Sequence, residues 1–298
     1  MKKLVFIDEE GKFNEYSYLI DAEFLKLKKT CALYIIESEG ERLLIDTGEK
    51  LTARKLIKKL KAFDLFPIDK LILTHAHWDH IQAVSKIKRY HKEHEIEVYA
   101  SENALEILEN PAEMNEFFGY YVDPIEDVIP LNANALLEVG GLQLEIHNFF
   151  GHTMDSIAIE NPKTKNLFVG DAIIDHIEPE TFIPVLFGPH FNEDALLKTY
   201  EKLRGMKKSL ESICLAHFGV WKDDHCIRII NNAEKLYFKA KNSLVDWYNY
   251  GLSLDQITQK YHNELIPNSK IFTKKSLMGL KWNIEQNLDT LKAANFID

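Results

Sequence analysis

The chain is short of cysteine: among 298 residues only Cys31, Cys214 and Cys226 occur. They are too few and too scattered for a disulfide framework, and none forms a C-x-x-C pair, which fits a reducing compartment. Long apolar runs are missing too. No stretch approaches the ~18 consecutive apolar residues of a membrane helix. The opening MKKLVFIDEE turns acidic after its apolar LVFI, where a secretory signal needs a longer core. A soluble, cytoplasmic chain without a membrane partner is the expectation. Excess positive charge is also lacking: 36 Lys and Arg stand against 46 Asp and Glu, a net charge of −10. Such a molecule repels phosphate backbones, so nucleic acid is a disfavoured partner. There is no repeat at solenoid spacing and no low-complexity segment.

What is present is an alternation of strands and helices. ALYIIESEGERLLIDTG (32–48) reads as two strands around a turn at Glu39-Gly40. KLTARKLIKKLKAF (50–63) has helical spacing, with Leu51, Ile57, Leu60 and Phe63 on one face and a solvated basic face opposite. A buried strand at 71–74, a helix at 81–91 and a strand at 96–100 follow, with Ser101 capping the next helix. LLEVGGLQLEIH (136–147) is a hairpin turning at Gly140-Gly141, and strands at 156–161 and 166–171 are joined across Pro162. A helix over 193–208 leads to a strand at 212–216, in which Cys214 reads as a packing residue. Beyond about 222 only helices are expected. One opens on the capping-box pair Ser253 and Gln256, and another carries Leu277, Leu280, Ile284, Leu288 and Leu291. The chemistry therefore belongs to residues 1–221, and 222–298 form a helical extension. A mixed-sheet α/β sandwich is the natural architecture.

The densest chemical signal is LILTHAHWDHIQAV (71–84). Residues two apart in an extended chain face the same way, so His75 and His77 converge on one point. Asp79 and His80 lie where the chain turns into a helix and can face a second point nearby. Imidazole nitrogen with carboxylate oxygen is a ligand set for zinc, iron or manganese. A chance H-x-H-x-D-H at this composition arises roughly once per thousand such chains, so the cluster is a signal. One loop cannot close two metal shells, and further ligands are expected at other strand ends. His152 in FFGHT, Asp171 ending LFVGD and His217 ending CLAH are the candidates. A carboxylate at the end of a buried strand is costly unless something positive meets it.

These motifs resemble those of the metallo-β-lactamase fold superfamily, which includes glyoxalase II and the acyl-homoserine lactonases. The matching segments are DTG (46–48), THAHWDH (74–80), GHT (151–153), GDA (170–172) and AHFG (216–219). The resemblance implies an αββα sandwich with the site along one edge. It implies that His75, His77 and His152 hold one metal, that Asp79, His80 and His217 hold a second, and that Asp171 bridges them. Two divalent ions, zinc first and iron or manganese as alternatives, would then share a metal-bridging hydroxide. Asp79 would relay the proton as a catalytic residue, and Asp46 would orient the ligands from behind. Three positions depart from the pattern. Gln82-Ala83 replaces a glycine pair, Phe150 replaces the proline before GHT, and Asp155 replaces a glycine.

The expected activity is hydrolysis of a small ester, thioester, lactone or phosphodiester, with a small-molecule substrate and homodimerisation as an option. An iron-dependent dioxygenase on the same fold and a nucleic-acid-processing hydrolase are the rivals, the latter through local patches at Lys207-Lys208 or Lys274-Lys275. Residues 175–193 form a plausible pocket wall, in which His176 and His190 are candidates to touch substrate. NEFFGYYVDP (115–124) is either a lid or a surface packed against the tail. His91 and His94 are expected to be solvated, and His147, His225 and His262 have no ligand-like context.

Overall fold

The computed structural model describes residues 5–173, 175–273 and 277–298. Alternation along the strands builds it. In β4 (Ala32–Ser38) the side chains of Leu33 and Ile35 face one apolar layer, and those of Tyr34 and Ile36 face another. β11 (Ile157–Asn161) repeats the pattern, with Ile157 and Ile159 on one side and Ala158 on the other. Strands buried on both faces belong inside a sandwich rather than at its surface.

One sheet runs in spatial order β2 (Gly11–Lys12), β3 (Ser17–Asp21), β4, β5 (Glu41–Ile45), β6 (Lys70–Leu73), β7 (Glu97–Ser101) and β8 (Val128–Leu131). The pairing is antiparallel from β2 to β5 and parallel from β5 to β8. The other runs β1 (Val5–Ile7), β16 (Val220–Lys222), β15 (Ser212–Cys214), β12 (Asn166–Phe168), β11, β10 (Leu142–Asn148) and β9 (Leu136–Val139), with β12 and β15 parallel. Between the sheets lies a core that includes Ile36, Ile45 and Ile72 from the first and Leu144, Ile159 and Phe168 from the second. Helices α1 (Ala53–Ala62) and α3 (Val84–Tyr90), with the short α4 (Leu105–Glu109) and α5 (Ala112–Phe118), cover the outer face of the first sheet. Helices α6 (Glu193–Met206) and α7 (Asp224–Asn249) cover the second. The layers are α, β, β and α, followed by α8 (Leu254–Lys260) and α9 (Met278–Ala293).

The expected capping box is formed: Ser253 Oγ accepts from Gln256 N while Gln256 Oε1 accepts from Ser253 N. Leu280, Ile284 and Leu291 of α9 lie in the same apolar cluster as Trp221 and Ile213, so the C-terminal helices share the outer core of the second sheet. Several boundaries differ from the sequence reading. The helix expected over 81–91 is two pieces, α2 (Trp78–Ile81) and α3, because the chain must first wrap the His cluster. Leu51 lies ahead of α1 and is exposed rather than on its buried face. A short hairpin, β13 (Asp175–Glu178) with β14 (Thr181–Ile183), begins the segment expected to wall a pocket. The Lys274-Lys275 patch lies outside the described residues.

Candidate metal centre

The candidate ligands stand on loops that leave strand ends at one edge of the sandwich. His75 and His77 follow β6, His152 lies between β10 and β11, Asp171 follows β12 and His217 follows β15. The β6 end is pinned from three sides. Ile157 N donates to Thr74 O at 2.9 Å, Thr74 N donates to Asp46 Oδ1 at 2.8 Å, and Ala76 N donates to Asp155 Oδ2 at 2.8 Å. Gly170 has φ +53°, and a Cβ there would lie 2.6 Å from Thr74 Oγ1, so only glycine lets the Asp171 turn approach this strand.

Two donor groups result. In one, donor atoms of His75, His77 and His152 lie within 4.8 Å of one another; in the other, those of Asp79, His80, Asp171 and His217 do. All seven side chains are buried or nearly so. Asp171 Oδ2 faces both groups, 3.2 Å from His80 Nε2 and 3.4 Å from His217 Nε2, and 3.8 Å from His152 Nε2 and 4.0 Å from His75 Nε2. Its partner oxygen Oδ1 is buried without a hydrogen bond among the described residues.

Hydrogen bonding around the rim fixes the tautomers. A carbonyl only accepts, so His152 Nδ1 donates to Val185 O at 3.0 Å and His217 Nδ1 donates to Thr30 O at 2.6 Å. His80 Nδ1 donates to Asp46 Oδ2 at 2.9 Å. Thr74 Oγ1 donates to the same oxygen at 2.8 Å, which leaves it to accept from His75 Nδ1 at 3.1 Å. Four imidazoles are thus turned with Nδ1 outward as donor and Nε2 inward. Burial, reinforced by neighbouring imidazoles, holds His75 and His77 well below the ordinary histidine range; burial also lowers His152. These rings are neutral, and the Nε2 lone pairs of His75 and His152 face each other at 3.2 Å. His152 Nε2 is 2.9 Å from His77 Nδ1, and His77 Nε2 is buried without a partner. Burial also opposes charge on His80, but Asp171, Asp79 and Asp46 outweigh it and raise that ring well above its usual value. Asp171 is the converse: burial pushes its carboxyl up, and His80 with His217 holds it well below.

Lone pairs and carboxylate oxygens aimed at shared points, with their outward nitrogens committed elsewhere, are what cation coordination requires. The residues therefore fit metal ions. The neutral imidazoles of His75, His77 and His152 and the ionised carboxylate of Asp171 lead the donor set. A cation would take the place of the proton that the carboxylates hold on His80, and the unpartnered Asp171 Oδ1 and His77 Nε2 add capacity.

Asp46, expected to orient ligands, is buried at φ +61° and bonded to both Thr74 and His80. Asp155, read in the sequence only as a departure from glycine, proves structural to the site. It is fully buried, and burial raises its carboxyl despite hydrogen bonds from Thr153, its own backbone and Ala76. Its partner lies 79 positions away, a distance no local signal spans.

A cavity opens on the centre, lined by His77, Asp79, Asp171 and His217 together with Phe24, Trp78, Phe118, Phe187 and Trp282. Neither His176 nor His190 lines it. His176 is buried against Trp221 and Phe182, and His190 lies 3.5 Å from Glu113 Oε2. Within 115–124, Phe118 packs on His77 and Tyr120 stacks on Trp78 at 3.8 Å, so this segment walls the site. His91 is not solvated. It is buried against Phe66, accepting from Ile68 N and donating to Ile87 O, because the Phe66-Pro67 turn folds over it. His94 is half-exposed, 3.0 Å from Asp69. His147 does have carboxylate neighbours: Glu160 at 2.8 Å, with Glu145 beside them on the strand surface.

A four-layer αββα sandwich with two His/Asp donor groups along one edge defines a metal-binding protein of the hydrolase sandwich class. The chain belongs to the metallo-beta-lactamase superfamily, whose family model matches residues 29–217. Members of that superfamily are mostly hydrolases. A hydroxyacylglutathione hydrolase, GloC, of Haemophilus influenzae is 28% identical over 151 residues, 49% of this chain and 67% of that protein. A probable metallo-hydrolase of Methanocaldococcus jannaschii is 30% identical over 166 residues, 54% of this chain and 71% of that one. Among solved structures, a metallo-beta-lactamase family protein of Thermus thermophilus has TM-score 0.64 at 19% identity, covering 94% of this chain and 93% of its own. An archaeal superfamily protein of Sulfolobus tokodaii has TM-score 0.63 at 16% identity, covering 93% and 98%. Both matches are too long to be confined to the sandwich and take in the helical C-terminal region. No described helix is long and apolar enough to cross a membrane.

Proposed function

We propose that this chain is a dinuclear metal-dependent hydrolase acting on a small-molecule ester, thioester, lactone or phosphodiester, with thioesters first among these. The observation that carries the reading is Asp171 Oδ2 set between the two donor groups, within 4.0 Å of a nitrogen of each. One metal would be held by His75, His77 and His152, the other by Asp79, His80 and His217, with Asp171 common to both. Zinc is the first choice for such a His/Asp set, with iron and manganese next. Divalent cations held there supply Lewis acidity, polarising the scissile oxygen and bringing the pKa of a water toward neutrality.

The chain's own residues do the rest. Asp46 and Thr74 hold the rings of His80 and His75 in their tautomers. Asp79 lines the cavity with Oδ2 3.4 Å from His217 Nε2, placed to take a proton from the attacking water and pass it to the leaving group. Trp78, Phe118 and Phe187 exclude bulk water from the reacting centre. No side-chain nucleophile is called for: burial raises the Cys31 and Cys214 thiols far above a reactive range. The preference for thioesters is supported by the hydroxyacylglutathione hydrolase and by an ACP thioesterase of Aspergillus fumigatus, 26% identical over 48% of this chain and 40% of that enzyme.

The test is elemental analysis of unsupplemented protein beside a panel of thioester, lactone and phosphodiester substrates. Two zinc, iron or manganese ions per chain and thioester turnover are expected, with both lost in His77→Ala. Full activity and two metals in that variant would overturn the assignment; iron with oxygen uptake and no hydrolysis would make it a dioxygenase instead.

A further inference from the structure

The cavity is walled on its outer side by residues that do not belong to the metal centre. Trp282 of α9 packs its ring parallel to Phe187, at 6.2 Å and 27°, and beside Phe24 at 5.8 Å. Gly279 and Asn283 of the same helix also line the space. The loop carrying Phe24, Leu25 and Leu27 lines the cavity as well. That loop is over-determined: Asp21 accepts from Glu23 N and Lys29 N, Thr30 Oγ1 accepts from Phe24 N and donates to Leu27 O, and Glu49 accepts from Leu25 N. Both leucines remain partly exposed, at 37% and 47%, although a fixed loop has no need of apolar side chains pointing outward. Held in place beside a cavity of aromatic rings, they extend its apolar wall to the rim.

The free space is small. Its volume is about 60 Å³, against about 150 Å³ for a cavity that takes up benzene. A short group fits inside, and a longer one reaches out to the leucines.

We infer that the cavity between Trp282, Phe187, Phe24 and the Leu25–Leu27 rim is an acyl pocket, selecting a short uncharged alkyl or aryl group on the substrate carbonyl. Trp282 is the specificity-determining residue, supplied by the C-terminal helices rather than by the sandwich. This inference rests on the proposed thioester hydrolysis.

The experiment uses N-acetylcysteamine thioesters, which keep one neutral leaving group while the acyl chain changes. Each buried methylene contributes about 0.8 kcal/mol, or about fourfold in kcat/KM when fully buried. From acetyl to hexanoyl, kcat/KM is expected to rise at least tenfold, with phenylacetyl close to hexanoyl, and to level off at octanoyl. Trp282→Ala is expected to lower the hexanoyl-to-acetyl ratio at least fivefold, and Trp282→Phe to retain most of it. In parallel, calorimetry with 2-heptanone, which cannot be hydrolysed, is expected to show binding to the wild type and at least fivefold weaker binding to Trp282→Ala. Thioester turnover with a flat chain-length profile and no ketone binding would overturn the acyl pocket and leave the hydrolase standing. Ketone binding that depends on Trp282 without any thioester turnover would keep the pocket and remove the hydrolase reading. An unchanged ratio in Trp282→Ala would sink the role given to that residue.

Discussion

Asp46 Oδ2 accepts two hydrogen bonds, from His80 Nδ1 at 2.9 Å and from Thr74 Oγ1 at 2.8 Å, and so ties a ligand of one donor group to the strand end that carries the other. Thr74 Oγ1 in turn accepts from His75 Nδ1, so one carboxylate sets the tautomer of an imidazole on each side. Asp46→Asn keeps the shape and removes the charge. The variant is expected to bind zinc about 10–100-fold more weakly, with the Asp79–His80–Asp171–His217 group the more affected. Competition against a chromophoric chelator reads this directly, and unchanged affinity at both groups would refute the tie.

The facing lone pairs of His75 and His152 are a repulsion in the folded chain that a cation between them removes. Metal binding should therefore stabilise the fold. Zinc at 100 times its dissociation constant is expected to add about 2.7 kcal/mol, seen as a rise in Tm of several degrees that a chelator reverses. His152→Ala should lose most of that rise. A Tm indifferent to zinc and chelator would contradict the assignment of these nitrogens.

Asp155 Oδ2 accepts at 2.8 Å from Ala76 N, which stands between the two first histidines. In Asp155→Ala that buried N–H is orphaned, at a cost of about 1–3 kcal/mol. Urea unfolding measures the loss, and zinc titration should show the His75–His77–His152 group weakened along with it. Wild-type stability in the variant would mean that the strand end finds another acceptor.

His176 gives the pH dependence. Burial, with Arg228 nearby, lowers its pKa from about 6.5 to about 4, so the folded chain binds fewer protons here than the unfolded chain between those values. Stability from this group is complete above pH 6.5 and falls as the pH drops toward 4, by about 1.4 kcal/mol per unit and about 3 kcal/mol in all. His176→Phe, which keeps the ring packed against Trp221 and Phe182, should flatten that part of the stability curve. A curve identical to that of the wild type would place the titration elsewhere.

The sandwich was legible because its strands are continuous apolar runs bounded by turns, as Leu33 to Ile36 and Ile157 to Ile159 are, and because strand ends with His or Asp are conspicuous after such runs. The capping box at Ser253 was equally plain, being a local pattern with a local cause. What escaped the sequence depends on contacts across the chain. Asp155 bonds a residue 79 positions away, His91 is buried by the distant Phe66-Pro67 turn, and the β13–β14 hairpin is too short to show a period. Trp282 sits in an ordinary amphipathic helix, and nothing in its neighbourhood in sequence announces that it reaches a cavity walled by Phe24 and Phe187.

The placement of α9 has a consequence for how such a protein can change. The candidate ligands are anchored to the sandwich edge, whereas one wall of the recess beside them comes from α9. Under the proposed function, reaction type and substrate preference are then carried by separate pieces of the polypeptide. Exchanging α9 for another helix would change what the recess admits while leaving the His/Asp groups alone.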